Sequence, residues 1–359
     1  MEGLGMRPNP AFWRGKKVLV TGHTGFKGAW LCFWLKRLGA EVTGIALPPE
    51  TTPNLCTEIA LESGIQGNFV DIRNCEPLRQ KVQGGGAEIV FHLAAQALVR
   101  ESYAAPLATF ETNIMGTAHV LAALRELPSA KVGVIVTTDK VYRNMELQEP
   151  FVEDDPLGGH DPYSASKAAA EIIVESYRES FLKARGVALA SARAGNVIGG
   201  GDWSPERLLP DCVKAWAANQ TVDIRMPGAI RPWQHVLDPL AGYLILAQHL
   251  WTEPSLAGAF NFGPHSESSV SVREAVTLAQ MKWGTGAKVK FAESNTGPKE
   301  AKTLRLSNAK AKAELNFVPL WPLEVALART IAWYKGMGAG ESASALCALD
   351  IDAYESGRE

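Results

Sequence analysis

Val18-Leu19-Val20-Thr21-Gly22-His23-Thr24-Gly25-Phe26-Lys27-Gly28 is the stretch that decides how the chain folds. A short apolar run leads into glycines at every third position, and an apolar helical pattern follows from Ala29. Gly22 permits a tight turn, Gly25 lets backbone approach a pyrophosphate, and Gly28 lets the helix start close to the strand. The helix N-terminus then faces the phosphates. A structural turn uses the same residues, so the weight lies in the position, after a first strand and before an apolar helix. A bound dinucleotide is the expectation, with Phe26 and His23 as further cofactor-facing candidates. His23 sits where smaller or uncharged residues are more usual, and filling space is its plain alternative.

Outward from this turn, apolar runs alternate with helical patterns. Val42 to Leu47, Phe69-Val70-Asp71, Ile89 to Leu93, Val132 to Val136 and Val187 to Val197 read as strands. Helices are expected over Gly28 to Leu38, Pro106 to Leu127 and Tyr163 to Arg185. Near-continuous apolar strands separated by helices indicate an α/β fold, a Rossmann-type doubly wound parallel sheet covered on both faces. After Gly199 the loops lengthen and become rich in Gly, Pro and Trp. Residues 1–198 with about 236–263 are assigned to this sheet domain, on the strength of a helix near Asp238 to Trp251 and the run Ala259 to Phe262. Residues of about 199–235 and 264–335 are assigned to a smaller, discontinuous C-terminal lobe for substrate. The stretch 336–359 has weak periodicity and reads as a surface helix or loose tail.

With 359 residues, 46% hydrophobic and 21% charged, the composition is that of a globular protein. A net charge of −2 gives no electrostatic reason to bind nucleic acid or an anionic membrane, so an anionic ligand needs a local site. No apolar run reaches the ~18 residues that span a bilayer. Residues Met1 to Gly15 hold no signal-peptide apolar stretch. Cys32, Cys56, Cys75, Cys212 and Cys347 are scattered, without metal-type spacing, and read as reduced thiols of a cytoplasmic protein with no metal site.

Tyr163-Ser164-Ala165-Ser166-Lys167 places Tyr163 and Lys167 four apart on one helix face, just after Pro162. A tyrosine titrates near 10 and must fall by roughly 3 units to accept a proton at neutral pH. A lysine ammonium and a cationic nicotinamide both favour the phenolate. Such pairs occur by chance on amphipathic helices. Here the pair follows Val136-Thr137-Thr138 by one strand–helix step, which makes it a candidate catalytic pair.

Thr21 to Gly28, Thr138, Tyr163 and Lys167 together resemble the extended short-chain dehydrogenase/reductase superfamily, over about residues 12 to 335. Asp71-Ile72-Arg73 resembles its adenine-contacting segment, and His92-Leu93-Ala94-Ala95-Gln96 the strand beside the cofactor, with Asn113 on the following helix. Thr137 lies next to Thr138 on the cofactor side. The cofactor implied is NAD. The end of the second strand, Ala46-Leu47-Pro48-Pro49-Glu50, lacks the acid that usually holds the NAD ribose and lacks an Arg for NADP; Glu50 reads as a solvated loop residue.

Within the superfamily the sequence looks most like the sugar-nucleotide 4,6-dehydratases, those acting on CDP-glucose above all. Thr21 to Leu31, Thr137-Thr138-Asp139-Lys140-Val141-Tyr142 and Ile230 to Val236 carry that likeness. It implies that Tyr163 takes the sugar 4-hydroxyl proton, Thr138 holds that hydroxyl, and Asp139 protonates the departing 6-hydroxyl. Related dehydratases carry Glu next, and here the position is Lys140, which leaves the C5 base open. Gln96, Asn196, Arg207, Leu208, Pro210, Arg231 and Gln234 are candidates for the substrate, CDP-glucose or a similar nucleotide sugar. Arg231 suits a diphosphate, with a structural ion pair as its alternative. Leu208 and Pro210 suit a base or ordinary core. Lys299-Glu300 falls where such enzymes often carry His-Glu, which makes Glu300 a minor candidate. The alternatives are a sugar-nucleotide 4-epimerase, a dehydratase of another nucleotide sugar, and a nucleotide sensor without catalysis. The two long helices resemble those of a four-helix contact, implying a homodimer or homotetramer.

Overall fold

The computed structural model describes residues 7–144, 149–293 and 303–358. Seven strands form the central sheet: β1 (Lys17–Thr21), β2 (Glu41–Ala46), β3 (Gln66–Phe69), β4 (Ile89–His92), β5 (Val132–Val136), β6 (Ala188–Ala194) and β7 (Ala259–Phe262). Alternation within them sorts side chains onto two cores. Val18 and Val20 of β1, Val132, Val134 and Val136 of β5, and the alternate alanines of β6 face one side. Leu19, Ile135 and Leu189 face the other. Helices α1 (Phe26–Arg37) and α4 (Leu237–Thr252) cover the first face with Trp30, Leu31, Leu240 and Leu244. Helices α2 (Thr117–Glu126) and α3 (Pro162–Tyr177) cover the second with Val120, Leu121, Leu124 and Val174.

The strand order is β7-β6-β5-β4-β1-β2-β3, and every neighbouring pair is parallel. Connections therefore run outward in both directions from the β1–β4 boundary. In such sheets the crevice at the carboxyl ends beside that boundary takes the ligand. The third strand sits earlier than expected, at Gln66–Phe69, and Val70 leaves the sheet after donating its N–H to Ala46 O. β6 stops at Ala194, and Val197–Ile198 pairs separately with Gln234–His235. The chain there turns into the lobe that faces the sheet's carboxyl edge, built on two further ribbons. Thr221–Ile224 pairs with Lys288–Phe291, and Ile230–Pro232 with Ser269–Ser271.

The last segment, expected as a surface helix or loose tail, is a helix docked through one face, with Leu349 exposed on the other. After α5 (Leu323–Gly338), α6 (Ala343–Glu355) buries Leu346, Cys347, Ile351 and Tyr354. The Tyr354 hydroxyl donates to Asp238 Oδ1 at 2.8 Å, and Trp34 Nε1 donates to Glu355 Oε1 at 2.7 Å. These contacts dock α6 on α1 and α4. Its apolar positions do recur with helical spacing, but Gly336, Gly338 and Gly340 break the pattern just before it.

Candidate active site

Between the carboxyl edge of the sheet and the lobe lies a continuous cleft of about 990 Å³. That is the upper end of the ~300–1,000 Å³ usual for small-molecule sites. One end is the glycine turn. Gly22 has φ +78°, and a Cβ there would stand 2.7 Å from Ala94 N. A Cβ on Gly28 would stand 2.0 Å from Gly22 O, so α1 can start this close to β1 only with glycine. Gly25 caps α1 without a side-chain bond, and Gly25, Phe26 and Gly28 line the cleft. The N–H groups of this first turn are donors for an anion.

Beside the turn, Thr21 Oγ1 lies 2.6 Å from His92 Nδ1, and Thr117 Oγ1 lies 3.0 Å from His92 Nε2. Burial, helped by Lys167, pushes His92 down to about 3, so its ring is neutral. Ala94 N donates to Thr21 Oγ1 at 3.2 Å. Leu93, Ala94, Ala95 and Gln96 thus pass the cleft on a fixed path, opposite Asp71 and Ile72. Arg73 donates to both carboxylate oxygens of Asp71 and holds Asp71 below its usual range.

Three candidates lie away from the cleft wall. The His23 ring turns under the sheet, where a Cβ on Gly44 would come within 2.5 Å of it, and stacks at 6.4 Å on Phe69. Burial holds it below the usual imidazole range. Asn113 backs the cleft: its Oδ1 accepts from Gln96 N at 2.9 Å, and its Nδ2 donates to Gln96 O at 3.0 Å and Ser166 Oγ at 2.9 Å. Gln234 is buried and donates to Phe262 O at 3.0 Å, on the side of its ribbon away from the cleft. Glu300 lies outside the described residues.

At the other end, helix α3 is started by Asp161, whose side chain accepts from Ser164 N at 2.9 Å, and by Pro162 in the first turn. Tyr163 and Lys167 therefore share a face toward β5. Lys167 Nζ donates to Val136 O at 2.9 Å. The Thr138 hydroxyl, which acts on the Tyr163 phenol, donates to Asp139 Oδ1 at 3.0 Å. Asp139 is buried, with Oδ2 lacking a hydrogen-bond partner among the described residues. A Cβ on Gly195 would stand 3.0 Å from that oxygen, so the glycine makes room for the carboxyl. Lys140, Thr137 and Asn196 also line this end, with Arg207, Leu208, Pro210 and Arg231 on the lobe side.

Withdrawal from water pushes the Tyr163 phenol up to about 12, opposed by the Thr138 bond and by Arg207. Burial pushes Lys167 down to about 8, opposed by Glu171. Forming a phenolate calls for further positive charge beside the ring, and an oxidised nicotinamide is a cation of that kind. The glycine turn, the open helix N-terminus and this demand for charge all fit NAD.

Lys27 is the lining residue whose chemistry the sequence reading passed over. Its Nζ donates to Tyr243 OH at 3.4 Å, and burial with Arg207 and Lys167 nearby pushes it down to about 7, Asp139 opposing. A charged residue between the second and third glycines was the available signal. Arg100 and Glu206, one on each side of the cleft, also pair at 3.0 Å. Among the described residues no cluster of His, Cys, Asp or Glu is suited to hold a metal ion, and no helix is long and apolar enough to cross a membrane.

Known proteins resemble the chain over most of its length. The chain is 43% identical to the CDP-glucose 4,6-dehydratase of Salmonella typhimurium over 351 residues, which cover 96% of this chain and 98% of that protein. It is 27% identical to a dTDP-glucose 4,6-dehydratase of Streptomyces griseus, over 88% of this chain and 93% of that one. A dTDP-glucose 4,6-dehydratase of Bacillus anthracis, solved in complex with NAD, superposes with a TM-score of 0.76 at 22% identity. That match covers 92% of this chain and all of the other (100%), and shows the shared fold. Residues 18–263 match the NAD dependent epimerase/dehydratase family. With its cleft, its Tyr-Lys pair and a relative alike over nearly its whole length, the chain belongs to that NAD dependent family.

Proposed function

We propose that the chain dehydrates CDP-glucose to CDP-4-keto-6-deoxyglucose. The observation that carries this is Thr138, Asp139, Lys140, Tyr163 and Lys167 on one end of one cleft, in a chain 43% identical to a CDP-glucose 4,6-dehydratase. A 4-epimerase would use Tyr163 and Lys167 but has no task for Asp139 and Lys140, which disfavours that alternative.

Gly22, Gly25, Phe26 and Gly28 would hold NAD, which would supply hydride uptake from sugar C4 and its return to C6 without net consumption. Tyr163, with Lys167 one turn below it, takes the proton of the 4-hydroxyl, which Thr138 positions. The 4-ketone acidifies the C5 hydrogen. Lys140 removes that proton, and Asp139 protonates the 6-hydroxyl as it leaves as water. A proton goes back to C5 as C6 is reduced. Arg231 and Arg207 stand on the lobe side for the diphosphate, and Leu208 and Pro210 for the base. The two halves of the chain, sheet domain and lobe, thus meet at the bond being broken.

Leu107, Met115, Ile172 and Phe181 are exposed apolar residues along the segments 106–126 and 162–182. Such a patch suits a second copy of the chain, making a homodimer or a homotetramer built from it; light scattering in solution tests this. A site built for a soluble nucleotide sugar suits the cytoplasm.

The deciding experiment is incubation with CDP-, UDP-, dTDP- and GDP-glucose, with products read by mass and NMR. Loss of one water from CDP-glucose without net NAD consumption is expected. Accumulation of NADH with one NAD+ used per sugar would make the enzyme a dehydrogenase, and inversion at C4 an epimerase.

A further inference from the structure

Two turns beyond Tyr163 on α3, and one beyond Lys167, stands a carboxylate with no part in the chemistry above. Glu171 is only 4% exposed. Its Oε1 accepts from Thr137 Oγ1. Its Oε2 accepts from Ser191 Oγ at 2.6 Å and Arg193 Nη2 at 2.8 Å. Arg193 Nη1 donates onward to the Tyr142 hydroxyl at 2.8 Å and to Glu153 O at 2.9 Å. The Tyr142 hydroxyl donates to Asn261 Oδ1 at 2.7 Å. One side chain of α3 is thereby tied to the end of β5 and to β6, and through Arg193 and Tyr142 to β7.

Stability alone gives little reason for a buried charged pair at this point. Desolvation costs about as much as the pair returns, and well-packed neutral residues often serve as well. The neighbourhood of Lys167 gives a better reason. Arg193 from β6 is a cation, Lys27 from α1 is pushed down to about 7 by its burial, His92 from β4 is neutral, and Tyr163 on its own helix is protonated at rest. Asp139, after β5, acts on Lys27 and Tyr163. Glu171 is the group whose charge supports the Lys167 ammonium against its burial.

We propose that Glu171 is a positioning residue of the reaction: it pins the end of β5 to α3 and supplies the counter-charge of Lys167. The proposal rests on the dehydratase reading for its kinetic test. Without the carboxylate, Lys167 sheds its proton at lower pH and no longer favours the Tyr163 phenolate. The ascending limb of the rate profile then moves to higher pH.

The variants are Glu171→Gln, Glu171→Asp, and Glu171→Gln combined with Arg193→Met, which removes the guanidinium that the single Gln change would leave unpaired. kcat/KM for CDP-glucose is measured from pH 6 to 10 at saturating NAD+. For the Gln variants the ascending limb should rise by about one pH unit or more, a loss of about tenfold at pH 7 that narrows by pH 9. KM for CDP-glucose should change little, and Glu171→Asp should restore most of the wild-type profile. An equal loss at every pH would mean a merely structural role and overturn the proposal, as would failure of both Gln variants to fold. In parallel, carbon-13 NMR of labelled lysines, with Lys167 assigned through Lys167→Met, should show Lys167 titrating at lower pH in the Gln variants. An unchanged titration overturns the proposal. Absence of CDP-glucose turnover in the wild type would instead sink the dehydratase reading, and the NMR titration would still judge Glu171.

Discussion

The two ends of the cleft are built on different principles. At the cofactor end, a run of seven residues shapes the site through backbone, because side chains on Gly22 or Gly28 would collide with main-chain atoms. At the sugar end, side chains gather from the end of β5, the start of α3, the turn after β6 and the lobe. The first end is fixed by exclusion and offers N–H groups whose charge no pH change alters. The second depends on the charge state of each contributor, and burial pushes Tyr163 and Lys167 in opposite directions away from the states catalysis uses. Binding is thus entrusted to shape and chemistry to tuned charge.

The sharpest way to break this contrast is Tyr163→Phe. Removing the general base should cut turnover by at least ~100-fold, while CDP-glucose binding, followed by calorimetry, persists. Lost binding with near-normal turnover at saturation would turn Tyr163 into a substrate anchor and erase the division of labour.

Lys140→Met, run in deuterated buffer, is next, with an expected loss of about 100-fold in elimination. Oxidation at C4 should survive while product formation and deuterium entry at C5 collapse together. Normal product with full C5 labelling would remove Lys140 from the mechanism and return the base to another group.

A smaller effect is expected at the cofactor end. Leu47, Pro48 and Pro49 line the cleft at the end of β2 where an acid would clamp the ribose, and Thr24 Oγ1 spends its hydrogen on Leu47 O. Purified protein should therefore lose NAD on dialysis and regain activity several-fold when NAD+ is added. Full occupancy after extensive dialysis would point to Glu50, which lines the same wall.

The smallest effect lies away from the cleft. Burial pushes Asp350 up to about 7, with Arg329 opposing, and Asp238 up to about 6. An unfolded Asp titrates near 3.9. With folded values above the unfolded one, their contribution is fully present below about pH 4 and is lost as pH rises through 6 and 7. Asp350→Asn should remove its share, so the variant's melting temperature gains on the wild type by a few degrees between pH 5 and 8. A difference constant across that range would show that Asp350 does not titrate there.

The sheet was legible because its strands are apolar runs that differ from the loops in composition as well as in period. The glycine turn was legible because its geometry requires one residue type at three fixed places. Thr138, Asp139, Lys140, Tyr163 and Lys167 lie in two short segments whose neighbours in the fold follow from strand order alone. What escaped depends on rotation about single elements. Whether His23 points into the cleft or under Gly44, and whether Gln234 faces Arg231 or Phe262, is set by a half-turn that no residue pattern records. Lys27 and Glu171 were passed over for a related reason. Each is an ordinary surface residue type, and only the packing of distant segments buries it. The docking of α6 was hidden because its partners, Trp34 and Asp238, lie far back in the chain.

That docking has a consequence for biosynthesis. Trp34 and Glu355 are 321 residues apart in the chain, so the Trp34 side of α1 lacks this part of its cover until residues 343–355 have left the ribosome. During that interval a surface carrying Trp34, beside an Asp238 not yet held by Tyr354, stands open to other nascent chains and to chaperones. The yield of folded protein should accordingly respond to chaperone supply and to changes in residues 343–355, far more than the distance of that helix from the reacting bond would suggest.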